Sequence, residues 1–558
     1  MSTKPSATNQ DKYRPPFISL LFSGFWSLIS YQLYLWGQQG EEWSTFGCLL
    51  TGFMAIGQVI KSMNDRFKRS ALRLKQQRFK TGAKAHGQGR FANAQDITDS
   101  ELFSDRQGIF LGTLRTGKNS SIDVFFDGPQ SLSLIAPPGE GKTMSLVVPT
   151  CLANPEQNLI INDPSGEIYA LCKAALEQQN YHVVVMTPFP EEVSQRLGEE
   201  VIDVGLDLFS GFDADMNLTS IRPRLLAIMT WVMPGRPDMD EKSEYFFKYA
   251  RMLGGFLALK ELAEGRKPTL PAIRRHLMEG LAYIRELFEQ AEGSTAFGGV
   301  YEELAKSLGG LLVAAPQQFA GGYGIAEQAL DVFDHFSSLG KHTAESKFDP
   351  RVLKDPHQKT ALFLISTLEM METVAPVTAM TLTYLFGTLA ADKQAGRCTA
   401  IIDECGSLVM PRLATSLLFY RKANLRCLLI WQDLAGQAEK NYGKVGLRQI
   451  MSASKLKIAM GLQEPETLEM FSKLCGTQAV VDPSLSDRAA KAEPLPELTV
   501  SLNHRSLPLL RADEIRMMSG EEMLIVGGNL PPLQLQKVPY WKRPHLKERA
   551  GHSPYYHG

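Results

Sequence analysis

The chain has 558 residues, a net charge of −1 and seven cysteines. Its 44% apolar and 21% charged residues are ordinary for a globular protein, and they exclude collagen, intrinsic disorder and a many-spanning transporter. The cysteines form no C-x-x-C pair, which argues against a zinc finger or a disulfide scaffold and favours a reducing compartment. At about 150 residues per domain, the length predicts roughly three to four domains.

Two charge-free runs close to the N-terminus predict a transmembrane hairpin. They cover residues 17–40 and 43–60, with Glu41 and Glu42 between them, and each is about long enough to cross the ~30 Å hydrocarbon core of a bilayer. Nine basic residues and one acidic residue follow in 61–84, so the positive-inside rule places both chain ends in the cytoplasm. This basic stretch is expected to contact anionic membrane lipids. The alternative is a pair of buried core helices.

A phosphate-binding loop is predicted between an apolar strand and a helix in residues 130–152. The octapeptide APPGEGKT fits the pattern G-x-x-x-x-G-K-[ST], with Ala136 in place of the first glycine. Its glycines allow backbone N–H groups to turn toward phosphate oxygens, Lys142 supplies a cation to the β- and γ-phosphates, and the Thr143 hydroxyl ligates Mg²⁺. With ATP and Mg²⁺ as the bound species, the predicted binding residues are Ala136, Pro137, Pro138, Gly139, Glu140, Gly141, Lys142 and Thr143.

Hydrolysis also needs acidic groups, and these are predicted at the end of a second strand. Residues 398–408 contain an apolar strand that ends in Asp403 and Glu404. Asp403 would hold Mg²⁺ through water, and Glu404 would orient or deprotonate the attacking water; the alternative is a strand that ends in two solvated acids. The next strand, in 426–433, brings Gln432 to the edge where the γ-phosphate would lie. A parallel α/β sheet is implied, with further strands predicted at 158–163, 181–189, 359–367 and 454–461.

Segments spread over nearly the whole chain resemble the VirD4/TraG type IV coupling proteins, which are hexameric inner-membrane ATPases of conjugation and type IV secretion. Besides the hairpin and the phosphate loop, the similar segments are GQGRFAN (Gly87–Asn93), NDPSGEIYAL (Asn162–Leu171), IIDECGSL (Ile401–Leu408), RKANLR (Arg421–Arg426), IWQDLAGQAEKNYG (Ile430–Gly443), LKIAMGLQEPETLEMFSKLCGT (Leu456–Thr477) and RADEIRMMSGEEMLIVGGNLPPLQLQKVPYW (Arg511–Trp541). The last blocks distinguish this family from other RecA-like ATPases.

The resemblance implies a RecA-like P-loop NTPase domain with an inserted all-α domain and an N-terminal two-helix transmembrane hairpin. It further implies a homo-hexamer in the bacterial inner membrane, in contact with inner-membrane components of a type IV secretion system. Carried over by motif, Lys142 and Thr143 bind nucleotide and Mg²⁺, Asp403 and Glu404 form the acidic pair, Gln432 senses the γ-phosphate, and Arg421 reaches the neighbouring subunit's nucleotide.

The chain departs from the family pattern at two positions. Ser165 stands where many members have a lysine in the D-x-K-G-E block. Because this lysine is absent, the resemblance implies no catalytic role for Asp163 or Glu167. A second departure, Ala136, is tolerable if its backbone needs no positive φ.

The predicted domains follow these blocks: the hairpin with its basic segment (1–85), a first nucleotide-binding part (86–220), the all-α domain (221–350), a second nucleotide-binding part (351–541) and a C-terminal tail (542–558). Apolar residues at helical spacing predict helices throughout the all-α domain, and its aromatic cluster at 245–249 is predicted to be core. The glycine-rich segment Phe319–Gly324 is predicted to be a loop. The polar tail is interpreted as a mobile end.

The predicted function is an ATP-hydrolysing coupling protein that recruits substrates and delivers them to a type IV secretion channel. Its cargo stays open between effector proteins and single-stranded DNA with an attached relaxase. The alternatives are a DNA-pumping segregation ATPase and a structural gatekeeper of the channel. The complete set of phosphate-loop and acidic residues argues against the gatekeeper, and the C-terminal blocks argue against the segregation pump.

The net charge is divided unevenly along the chain. Residues 1–85 hold twelve basic and four acidic residues, and the remainder holds 47 basic and 56 acidic residues. The total near zero is therefore a cancellation between a basic membrane-proximal segment and an acidic body. Any DNA contact is expected to be confined to a local lining, which leaves protein cargo nearly equal to DNA as a prediction.

Overall fold

The described residues of the computed structural model, apart from a few between 27 and 57, are 89–104, 106–117, 120–153, 156–212, 218–236, 239–486 and 499–555. The predicted basic segment and most of the predicted hairpin lie outside them. Within the described part of the hairpin, residues 27–32 are helical. The hydroxyls of Ser30 and Thr51, one from each charge-free run, are hydrogen-bonded at 2.5 Å.

The strands found among the described residues are mostly short runs of buried apolar residues. Their bounds are β1 (Phe103–Ser104), β2 (Ile109–Arg115), β3 (Ser121–Phe126), β4 (Leu132–Ile135), β5 (Asn158–Asp163), β6 (Tyr181–Met186), β7 (Lys359–Ile365), β8 (Cys398–Ile402), β9 (Leu425–Trp431), β10 (Leu456–Ala459), β11 (Thr477–Ser486), β12 (Thr499–Pro508), β13 (Glu522–Gly527) and β14 (Leu530–Gln536).

Twelve of these strands form one sheet in the order β1-β3-β2-β14-β13-β10-β4-β9-β8-β5-β7-β6. The seven strands from β10 to β6 pair in parallel, which confirms the predicted parallel sheet. The other five pair antiparallel and extend the sheet beyond β10; the sequence did not predict this extension, so the sheet is mixed. Strands β11 and β12 form a separate two-stranded sheet.

Both faces of the parallel strands are buried, because side chains along a strand point alternately to the two faces. On one face Ile160 and Leu362 belong to a core shared with the helices between β6 and β7. On the other face Ile161 and Phe363 belong to a core shared with the helices that follow β4 and β5. This double burial explains why these strands are nearly continuous apolar runs rather than alternating ones.

The helices are mostly placed in the connections between the strands. Their bounds are α1 (Ala94–Thr98), α2 (Val148–Leu152), α3 (Glu167–Gln178), α4 (Pro190–Leu197), α5 (Leu218–Val232), α6 (Glu241–Ala263), α7 (Leu270–Met278), α8 (Gly280–Gln290), α9 (Val300–Ala314), α10 (Pro316–Leu330), α11 (Ser338–His342), α12 (Met371–Ala391), α13 (Leu413–Tyr420), α14 (Gln437–Ala453), α15 (Pro465–Cys475), α16 (Ala512–Arg516) and α17 (Pro544–Lys547).

The connection between β6 and β7 carries helices α4 to α11, and α5 to α11 lie where the helical spacing predicts helices. The loop predicted at Phe319–Gly324 is wrong, since this segment lies inside α10. Its glycines have a packing role. A side-chain carbon at Gly321 would lie 2.9 Å from the Phe246 ring, and one at Gly322 would lie 3.2 Å from Tyr249. Small residues thus let α10 approach α6 closely.

Among the described residues, α12 alone is long and apolar enough to cross a membrane by length and composition. Half of its most apolar window is buried inside the protein. It connects β7 to β8, two strands of the parallel sheet, and its residues Leu382 and Phe386 belong to the core on one face of that sheet.

The C-terminal tail is packed against the sheet unit as far as Tyr555. The Gly551 N–H donates to the carbonyl of Leu171 in α3 at 2.9 Å, and Leu546 is buried. The interpretation of the tail as a mobile end is therefore wrong for the described residues, because its backbone and an apolar side chain are both held by the neighbouring elements.

Candidate active site

The phosphate loop connects β4 to a helix and has the backbone that its glycines predict. Gly139 and Gly141 have φ of 82° and 73°, a region that residues with a side chain rarely adopt. Ala136 has no positive φ, so alanine is acceptable in place of the first glycine of the pattern. Its N–H donates to the carbonyl of Trp431 at 2.9 Å, which keeps the start of the loop inside the sheet.

The helix after the loop begins as a π-helical turn at Thr143–Val147 and continues as α2. Single π turns inside helices occur often at functional sites. Pro149 in the first turn of α2 has no N–H to give to the preceding turn, which is consistent with the wider hydrogen bonding there. The Thr143 hydroxyl is thereby placed at the first position of the helix, where backbone N–H groups favour anions.

The predicted acidic pair lies beside the loop. Lys142 Nζ is 3.4 Å from Asp403 Oδ1, and both side chains are mostly buried. The two are brought together because β4 and β8 both flank β9, so that their carboxyl ends meet at one sheet edge. Asn162, at the end of β5, donates from Nδ2 to the backbone oxygen of Asp403 at 2.8 Å. This bond fixes the turn that carries Asp403.

Glu404 is held in a strained backbone conformation, with φ of 56°. Such conformations cluster at functional sites, where the surrounding structure maintains them. Gln432 Nε2 donates to Glu404 Oε1 at 2.7 Å, so two predicted site residues are joined directly. Burial raises the pKa of Glu404, and the negative charge of Asp403 raises it further, whereas Lys142 and the Gln432 amide oppose this rise. A carboxyl with a raised pKa and a fixed orientation can accept a proton from water.

Arg421 is placed differently from the other predicted residues. It follows α13 at the surface, with an exposed side chain. None of the side-chain contacts found among the described residues joins it to Lys142, Asp403, Glu404 or Gln432.

Sequence reasoning missed the part played by the end of β5. Asp163 is buried, and its Oδ2 accepts from the Tyr169 N–H at 2.8 Å while Ser165 Oγ donates to its Oδ1 at 3.2 Å. Burial raises the pKa of Asp163 to about 7. Asp163 thus anchors the start of α3, and Ser165 assists it. A polar pair at the end of an apolar strand, Asn162–Asp163, was the available signal.

The residues fit the nucleotide and the metal that the motif predicts. The described residues contain no group of three or more His, Cys, Asp or Glu side chains suited to a metal ion. Mg²⁺ does not need such a group, because it is commonly bound through one or two protein oxygens and the substrate phosphates. Thr143 and Asp403 are the oxygen ligands available here. A side-chain carbon at Gly139 would meet nothing within 4 Å, which leaves the open space that phosphate oxygens require.

Comparison with known proteins identifies related sequences over most of the chain. A family model described as type IV secretory system conjugative DNA transfer matches residues 88–555. The conjugal transfer protein TraG of Rhizobium radiobacter is 23% identical over 503 residues, which are 84% of this chain and 74% of TraG. The protein VirD4 of Rhizobium rhizogenes is 22% identical over 423 residues, 74% of this chain and 58% of VirD4.

Among solved structures, the plasmid coupling protein TrwB in complex with a non-hydrolysable ATP analogue has a similar fold. The TM-score is 0.59 at 16% identity, and the match covers 81% of this chain and 93% of that one. TrwB in complex with ADP and Mg²⁺ matches with a TM-score of 0.56 at 16% identity, over 81% of this chain and 94% of that one.

Proposed function

The chain belongs to the type IV secretory system conjugative DNA transfer family, and from this premise we propose that it is a coupling protein that hydrolyses ATP to deliver substrates to a type IV secretion channel. The observation that carries the proposal is the arrangement at the sheet edge. Lys142 is paired with Asp403, and Glu404 is oriented by Gln432. The TrwB complexes with an ATP analogue and with ADP and Mg²⁺ support it through a shared fold.

The chemistry follows from the positions of these side chains. The loop N–H groups and the Lys142 ammonium bind the phosphates, so Lys142 exchanges its partner Asp403 for phosphate oxygens. Thr143 and Asp403 would hold Mg²⁺, which would supply neutralisation of the phosphate charge. Glu404 accepts a proton from the attacking water, and Gln432 holds the carboxylate in the orientation that this transfer needs.

A substitution of Lys142 tests the site. Lys142→Ala should lower ATP turnover on the order of 100-fold or more, because the main cation facing the phosphates is lost. Lys173→Ala is the matched control, since Lys173 lies on α3 and pairs with Glu199 outside the loop. Turnover in Lys142→Ala equal to that of the control would refute the assignment.

We propose that the chain is anchored in the bacterial inner membrane by the hairpin. Support comes from its two charge-free runs and from the basic segment that follows. The described residues of these runs expose large apolar side chains, namely Leu28, Tyr31, Tyr34, Leu35 and Met54, a surface suited to lipid. The nucleotide-binding parts of six subunits would assemble into a homo-hexameric ring on the cytoplasmic side of the membrane. In this ring, Arg421 would complete the nucleotide site of the neighbouring subunit.

Helices α5 to α11 are proposed to be the inserted all-α domain that meets the substrate. The family description favours DNA as the cargo. Excess acidic residues in the body confine DNA contact to a local surface, so effector proteins are the second candidate. Binding of single-stranded DNA that weakens steeply with salt would favour DNA, and salt-insensitive capture of an effector's signal region would favour protein.

A further inference from the structure

The residues from Pro539 to Tyr555, named here the C-terminal wrap, line a cleft opposite the phosphate loop and end beside the start of α3. Besides the backbone bond from Gly551, Ser553 Oγ donates to Glu167 Oε1 at 2.7 Å. The Tyr555 hydroxyl donates to the carbonyl of Ser165 at 2.9 Å. The wrap is thereby attached to the start of α3, the helix that follows β5.

The earlier part of the wrap is fixed to the antiparallel strands. Arg543, which is buried, pairs with Asp123 of β3 at 2.6 Å and lies 4.5 Å from the centre of the Phe110 ring. Just before the wrap, Lys537 forms an ion pair with Glu140 of the phosphate loop at 2.9 Å. The wrap is therefore held by β3 near its beginning and by α3 near its end. It forms a fixed wall and not a free chain end.

Between the phosphate loop and the wrap lies a cleft of about 1180 Å³. Residues 139–145 form one side, and the other side includes Tyr540, Trp541, Lys542 and Lys547. Pockets for small ligands and cofactors are typically ~300–1,000 Å³. The cleft is therefore large enough for a complete nucleotide and not for its phosphates alone.

The wrap presents an aromatic surface to this cleft. The rings of Tyr540 and Trp541 meet edge to face, with centroids 5.2 Å apart. Trp541 lines the cleft and is 47% exposed, which is unusual for so large an apolar ring. Lys542 beside it is already paired with Glu521 at 3.1 Å. The surface is thus suited to a flat, uncharged group, and every nucleobase has such a face.

We propose that the C-terminal wrap is the base- and ribose-binding wall of the nucleotide cleft, with the Trp541 ring as its stacking face. The proposal rests on the proposed nucleotide binding, and it adds the part of the ligand that the phosphate loop does not recognise. The loop holds the phosphate end, and the wrap holds the nucleoside end of the same molecule.

Calorimetric titration of the full-length chain in detergent, with Mg²⁺ present, tests this division. Two ligands are compared, ATP and inorganic tripolyphosphate, which has the phosphates without the nucleoside. Trp541→Ala should weaken ATP about tenfold or more, the effect of losing one stacked base, and leave tripolyphosphate unchanged. Trp541→Phe should keep most of the ATP affinity. Phe336→Ala, at an exposed phenylalanine between α10 and α11, is the matched control and should change neither.

A second variant moves the wrap without touching the aromatic rings. A side-chain carbon at Gly551 would lie 2.2 Å from the backbone oxygen of Ala170, so Gly551→Ala must displace the wrap from α3. It should weaken ATP and not tripolyphosphate. Gly310→Ala is the control, because a side-chain carbon there meets nothing within 4 Å.

The outcomes separate this proposal from the one on which it rests. If the unmodified chain binds neither ligand, the proposed nucleotide site itself fails. If Trp541→Ala and Gly551→Ala bind ATP with the same affinity as the unmodified chain, the wall is refuted while the nucleotide site stands. Equal weakening of ATP and tripolyphosphate in Trp541→Ala would also refute the wall, since it would show a general disturbance of the loop.

Discussion

Replacing Gln432 by alanine removes the donor that orients Glu404. The lost bond is a 2.7 Å contact from the Gln432 amide to a carboxylate oxygen, and hydrogen bonds to charged groups contribute about 1.5–3 kcal/mol. If that energy is fully used to position Glu404, turnover falls by about 10- to 150-fold. The amide is also one of the two groups that oppose the rise in the pKa of Glu404. Its removal should therefore raise that pKa further.

The direction of the pH effect follows from the role of Glu404 as the proton acceptor. A carboxyl must be ionised to accept a proton, so a higher pKa moves the acid limb of the turnover profile to higher pH. The assay is turnover at saturating ATP from pH 5 to 9. Gln437→Ala is the matched control, since Gln437 lines the same cavity of about 100 Å³ beside Glu404. Loss of a phosphate contact alone would lower turnover equally at every pH, and an acid limb that stays in place would refute the reasoning.

Three further changes have defined outcomes. Arg421→Ala should lower turnover per subunit about 1000-fold or more in the assembled protein and leave ATP affinity intact. Lys422→Ala, the control, should leave turnover unchanged. Turnover per subunit that does not depend on protein concentration would contradict a shared site. Deletion of residues 1–60 should move the chain to the soluble fraction on membrane centrifugation, and retention until a salt wash would assign the anchor to the basic segment. Asp163→Asn should flatten the pH dependence of the apparent Tm between about pH 4 and 7.

The direction in which protein stability changes with pH follows from the raised pKa of Asp163. The folded chain keeps the proton up to about pH 7, whereas the unfolded chain releases it near pH 4. Stability is therefore lost as the pH rises through this window, by up to about 4 kcal/mol. Asparagine keeps an oxygen that can accept from the Tyr169 N–H and carries no charge to bury. An unmodified protein whose Tm is constant from pH 5 to 8 would contradict the assignment of the shift.

The parallel half of the fold and the grouping of Lys142 with Asp403 and of Glu404 with Gln432 were predictable because the signals are local. Lys142, Asp403 and Gln432 each follow an apolar strand, and carboxyl ends of neighbouring parallel strands share one edge. The family resemblance drawn from the motifs is confirmed by the family match and by the related TraG and VirD4 sequences. The domain boundaries and the roles of the site residues, including Arg421, stay predictions.

What could not be predicted depends on contacts between distant parts of the chain. Asn162 supports Asp403 from 241 residues away, and only the adjacency of β5 and β8 brings them together. The glycines of Phe319–Gly324 have the composition of a loop, yet packing of α10 on α6 overrides that preference. The wrap was interpreted as a mobile polar end because the residues that attach it, Arg543 and Gly551, have partners that are distant in the sequence. Those partners, Asp123 and Leu171, are identified only in the folded structure.

The sheet order also has a consequence for the synthesis of the protein. Strand β14 lies between β2 and β13, and β13 pairs with β10, so the first strands of the domain join the sheet only through the last ones. On the ribosome, β2 and β3 must wait for residues up to Gln536 before they gain these neighbours. A chain that stops before β13 leaves one edge of β10 unpaired, next to the strand that carries the phosphate loop. Unpaired edges recruit other strands, so truncated products should aggregate and not accumulate as partly active enzymes.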